Sequence, residues 1–165
     1  MQRVVKGYSE RPGLGLLKRE NGASLVEFAL IAPLLFLLLF GVIEFAWVFS
    51  QNLDVRHGAR EGARLAAVNY DVGPLPSAPA RSSTQTSTIV AEVCSRMDVA
   101  SDVTVTLTSD GDVGDPAIAT VNAPADTLTG FLDWALPDTL VLGSTVEIRM
   151  EQFAGWANTT AEACP

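Results

Sequence analysis

The fold of this chain turns on "RENGASLVEFALIAPLLFLLLFGVIEFAWVF", residues Arg19–Phe49. Two acids, Glu27 and Glu44, enclose sixteen uncharged residues, Phe28–Ile43. At ~1.5 Å per residue that interval covers ~24 Å, less than the ~30 Å hydrocarbon layer of a bilayer. If the stretch crosses a membrane, one acid must therefore lie at or inside a boundary. A carboxylate at the bilayer centre costs at least ~2.5 kcal/mol and calls for a partner or a task. With Trp47 in the outer aromatic belt, a ~30 Å span measured backward ends near Glu27. Glu27 then occupies the inner rim, and Glu44 lies about one turn below the outer surface.

Charge on either side of the stretch sets its orientation. Residues 1–22 carry Arg3, Lys6, Arg11, Lys18 and Arg19 against two acids, whereas residues 70–165 carry three Arg against thirteen Asp and Glu. The basic excess before the span predicts a cytoplasmic N-terminus, with everything after Phe49 outside. The acidic C-terminal half has the wrong sign for nucleic acid. An ordinary signal peptide is a poor match: the apolar run is too long, and "VIEFAWVFSQ" offers no small-x-small cleavage site. The helix is expected to stay in the membrane.

Beyond Phe49 the helical pattern continues without proline to Val72. Arg56, Arg60 and Arg64 recur at the i, i+4 spacing on one face, either solvated or meeting acidic groups on neighbouring subunits. Gly58, Gly62 and Ala66 share another face, where small residues admit a second helix or a sheet. Pro33, inside the span, removes the hydrogen bond to Ala29 and should bend the helix. "YDVGPLPSAPARSS" reads as a linker. Ser82 or Ser83 caps a short helix with Ile89, Val90, Val93, Cys94 and Met97 on one face. "DVTVTLTS", "PAIATVN" and "STVEIRME" alternate as strands. Asp126 is expected to cap a second short helix, with Leu128, Phe131, Leu132 and Leu136 inward.

The predicted fold is thus α+β: a long N-terminal transmembrane helix extended into a small outer domain of short helices and an antiparallel sheet. Its parts are a basic cytoplasmic leader (1–22), the transmembrane helix (23–49), its extension outside the membrane (50–72) and the outer domain (73–165). At 165 residues the chain has room for such a domain plus an appendage.

No catalytic or metal-binding constellation emerges, and no cofactor motif. His57 is the only histidine. Asp110, Asp112 and Asp115 imitate a calcium loop, but Gly114 takes a ligand position and Val121 replaces the terminal Glu, so the segment reads as a turn. Asn158-Thr159-Thr160 is a formal glycosylation sequon, relevant only in a eukaryote. Cys94 and Cys164 are the only cysteines, both on the outer side where disulfides persist, and either pair with each other or remain as buried thiols.

Glu27 has two readings. It is an interfacial acid whose carboxylate snorkels to the cytoplasm, or it belongs to a processed N-terminus. Cutting after Gly22 leaves Ala23 with a free amine and Glu27 as the fifth residue of the new chain. In a bundle of such helices that amine pairs with a Glu27 carboxylate, each charge relieving the other's desolvation.

Basic residues, a glycine, four mostly apolar residues, a glutamate and a long apolar helix resemble the prepilin motif of type IV pilins. The stretch Gly22–Asn69, with "VEFALIAPLL", "GVIEFA" and "AREGARLAA", resembles the TadE-like family of minor pilins, or pseudopilins, in tight-adherence (Tad/Flp) pilus systems; "STVEIRMEQ" is similar to that family's closing strand. The resemblance implies a non-enzymatic subunit of the bacterial inner membrane and of the pilus, cut by a prepilin peptidase between Gly22 and Ala23. Glu27 would carry the pilin glutamate role, and the partners would be other pilin-like subunits and the pilus assembly machinery. Phe28 departs from the tyrosine that commonly follows the glutamate in the major pilins of these systems. An outer domain of this size implies a minor or priming subunit, and is too short for the related TadG-like proteins. The competing reading is an uncleaved single-pass anchor displaying an outer binding domain.

Overall fold

A computed structural model describes residues 20–70, 81–98, 102–130, 133 and 140–165. Most of the leader and most of the linker therefore lie outside the described residues, and so do Phe131, Leu132 and Leu136 of the expected second short helix. The chain divides into two compact units, residues 1–39 and 40–165. Helix α1 (Glu20–Ala67) contributes residues to both.

In the first unit the helix is apolar on every side, with Pro33 in its interior. Leu25, Phe28, Leu30, Leu34, Leu35 and Leu38 are all exposed. Such all-round apolarity is satisfied by lipid or by other helices, and not by water.

The second unit is α+β, as expected. After α1 come α2 (Ser83–Ser95) and strands β1 (Thr104–Thr108), β2 (Pro116–Pro124), β3 (Val141–Arg149) and β4 (Glu162–Ala163). The four strands form one sheet in the order β3-β2-β1-β4, with every pairing antiparallel. Alternation places Val105 and Leu107 of β1, and Ala117, Ala119 and Val121 of β2, in the core. Ile89, Val90 and Val93 of α2, and Val55, Ala59, Ala63 and Ala66 of α1, close over them.

The small-residue face of α1 does what its spacing predicts. A Cβ on Gly62 would lie 3.2 Å from the Cβ of Ala119 and 3.4 Å from Val93 Cγ2. One on Gly58 would run into the sulfur of Met97. These gaps let α1 lie close to both the sheet and α2. Arg56, Arg60 and Arg64 are exposed.

Two expectations are corrected. Helix α1 stops at Ala67, short of Val72, because Asn69 takes a left-handed conformation (φ 50°). The amide of Asn69 donates to Ala66 O (3.2 Å) and that of Tyr70 to Leu65 O (3.0 Å), the paired bonds of a Schellman stop. The indole of buried Trp156 also donates to the carbonyl of Ala66 (2.9 Å), which so accepts a second hydrogen bond at the helix end. The second correction concerns the segment after Asp126. Residues 128–130 bend instead of forming the first turn of a helix, Gly130 has φ 70°, and Leu128 points outward. Its amides are taken by a side chain of α1.

Ser82 caps α2, its hydroxyl accepting from the amide of Gln85 (3.4 Å). β3 begins at Val141, earlier than "STVEIRME" suggests.

Candidate functional site

Gly22, Ala23 and Glu27 stand in the first turns of α1, all exposed. A Cβ on Gly22 would meet nothing within 4 Å among the described residues. Glu27 follows Ala23 by four residues and shares its face of the helix.

Glu44 carries an unforeseen role. It is fully buried in the second unit. The amides of Leu128 (2.9 Å) and Thr129 (2.6 Å) donate to its two carboxylate oxygens, and the hydroxyl of Thr129 donates as well. Charge-assisted bonds of this kind are roughly twice as strong as neutral ones. Two turns further on, Gln51 lies on the same face. Its amide closes a reciprocal pair with Asp126, Nε2 donating to the backbone carbonyl (2.7 Å) and Oε1 accepting from the backbone N–H (3.0 Å). Glu44 and Gln51 thus hold the 126–129 strap along α1. No local spacing announces this latch, since the partners are 84 and 85 positions apart.

Cys94 at the end of α2 and Cys164 beside β4 are joined in a disulfide, their Cα atoms 5.6 Å apart. Glu61 forms the centre of an ion cluster with Arg64 (2.6 Å) and Arg96, and Arg96 also meets Glu92. The hydrogen bond from Arg64, helped by the positive charges of Arg64 and Arg96, holds the Glu61 carboxyl below its usual range against the opposing effect of burial. A groove of about 550 Å³ opens among Trp47, Asp54, His57 and Asp98. One of its acids is engaged within it: Asp54 accepts from the amide of Asp98 (2.7 Å). The aspartates at 110–115 lie in a turn, Asp115 accepting from the amide of Asp112 (3.0 Å). Among the described residues no cluster of three or more His, Cys, Asp or Glu side chains is placed to hold a metal.

Helix α1 is long and apolar enough to cross a membrane once, and its C-terminal part packs in the core of the small α+β unit. The family model described as TadE-like protein matches residues 22–64. Over that segment, about a quarter of its length, the chain is similar to the TadE-like family. No curated protein and no solved structure matches the chain.

Proposed function

We propose that this protein is a minor pilin-like subunit, structural or assembly-assisting, of a bacterial tight-adherence pilus, with its N-terminus in the cytoplasm and its α+β domain outside the inner membrane. The observation that carries the reading is where the family match starts: at Gly22, with basic residues before it and Glu27 five positions on. A prepilin peptidase cuts between Gly22 and Ala23. The exposed glycine, against which nothing packs among the described residues, supports that assignment.

Cleavage also gives Glu27 its task. Leu30 and Ile31 occupy the i+3 and i+4 positions, so no basic side chain one turn on neutralises it, and the freed amine of Ala23 does so within the chain or from a neighbouring subunit.

The test is the intact mass and N-terminal sequence of protein extracted from its native host with the system's peptidase expressed. The expected mature chain begins at Ala23, and Gly22→Leu should retain the leader. An intact leader in the unaltered protein sinks this reading and leaves an uncleaved anchor with an outer binding domain. Glu27→Gln should preserve cleavage and membrane residence while lowering co-purification of partner subunits. Equal recovery would reduce Glu27 to an interfacial acid.

A further inference from the structure

We infer that the strap at residues 126–130, latched to Glu44, rests in the headgroup region of the outer leaflet, so that the outer domain sits on the bilayer instead of standing clear of it. The inference rests on the membrane-spanning reading above. Its first support is the direction of the strap. Asp126 is opposite Gln51, whereas Leu128 and Thr129 are opposite Glu44, seven residues nearer the N-terminus of α1. At ~1.5 Å per residue the strap runs ~10 Å along the helix toward the span.

A second support is the length left for lipid. With Glu27 at the inner rim, a ~30 Å hydrocarbon layer ends near Trp47, so Glu44 and the latch lie about one turn from the outer boundary. Glu44 does not need water there: backbone amides and a hydroxyl from the strap supply its donors. A carboxylate so satisfied tolerates the low-dielectric border that would otherwise expel it.

The third support is what surrounds the latch. Phe45 is 71% exposed, and Phe49 and Leu128 are each 52% exposed. The rings of Phe45 and Phe49 stack with centroids 6.2 Å apart, and Trp47 is also exposed. This apolar surface lies on α1 and the strap beside the latch, and aromatic side chains are favoured at the level of lipid headgroups. Lipid at the outer boundary is thus the occupant this face fits, in preference to a second protein.

The experiment uses the full-length protein in vesicles of phosphatidylethanolamine and phosphatidylglycerol, nitroxide-labelled at Leu128→Cys or, separately, Phe49→Cys. The bonded native cysteines leave the introduced thiol as the label site. Collision rates with oxygen and with a water-soluble nickel chelate report depth. Leu35→Cys supplies the hydrocarbon reference and Glu147→Cys, exposed on β3, the aqueous one. Both test sites should read between the references, with an oxygen-to-nickel ratio several-fold above that of Glu147→Cys. A ratio equal to the aqueous reference overturns the inference. Protection from both reagents overturns it too, because protein would then cover the face. If Leu35→Cys itself reads as aqueous, the spanning reading fails and takes the inference with it.

Discussion

Replacing both Cys94 and Cys164 with serine should lower the stability of the outer unit by about 2–4 kcal/mol, the range usual for a native bridge. The bonded residues are 70 positions apart. In the chain-entropy model, closing a loop of that length restricts the unfolded chain by ~4.4 kcal/mol at 25 °C, an upper figure because real unfolded chains keep some structure. The unit at 40–165 has 126 residues, and unfolding entropy of ~2.1 cal/mol/K per residue makes each kcal/mol worth ~4 °C. A melting temperature ~8–15 °C lower follows. The assay is thermal unfolding of the full chain in detergent, followed by near-ultraviolet circular dichroism, comparing the oxidised protein, the same protein with a phosphine reductant, and the double-serine variant.

The loss should be uneven as well as large. β4 has only two residues and pairs with Thr104 and Val105 alone, and the amide of Cys164 donates to Val103 O (2.9 Å). Amide exchange in residues 162–164 should accelerate well before that of β2, which is paired on both edges. A shift in melting temperature below ~2 °C, with unchanged exchange at β4, would refute the reasoning, since the loop constraint predicts several times more.

Gly62→Val should destabilise the outer unit by ~1–3 kcal/mol in denaturant titrations, because the position of its Cβ is already 3.2 Å from Ala119. Glu61→Gln should be less stable than the unaltered protein at neutral pH. Because the Glu61 carboxyl titrates below its ordinary value, its contribution is complete above that value and disappears as pH falls through the lowered one, so melting curves of the two proteins should converge in acid. Glu44→Leu removes the acceptor for two amides and a hydroxyl, so limited proteolysis should cut the 126–130 strap faster while membrane residence is unchanged. An equally resistant strap would mean that Glu44 is not needed to hold it.

Much of this architecture was readable because it depends on local period. Three strands declared themselves by alternation, α2 by its serine cap and apolar face, and the close side of α1 by Gly58, Gly62 and Ala66. The end of α1 also carried a signal that periodicity overrode: Asn69 is a residue type that tolerates the left-handed conformation of a helix stop. The strap after Asp126 misled for a different reason. Its apolar spacing suits a helix, but the amides of Leu128 and Thr129 bond to a carboxylate 84 and 85 positions away, and a helix over the same residues would face it differently. β4 is too short to show a period at all, and is held by its pairing with β1 beside the Cys164 bridge.

One helix meets two solvents, and its composition changes where the surroundings do. Up to Ile43, the Leu and Phe side chains of α1 are exposed. After Glu44 the helix becomes sided, with Gly and Ala toward the sheet and Arg56, Arg60 and Arg64 toward water. α1 runs through both regimes as one helix. Glu44 and Gln51 meet the same strap only while seven residues separate them. One residue added between them would turn one against the other by ~100°, so that the strap could keep Glu44 or Gln51 but not both. The acid that looks misplaced in an apolar sequence is thus held by the 126–129 strap, seven residues before Gln51.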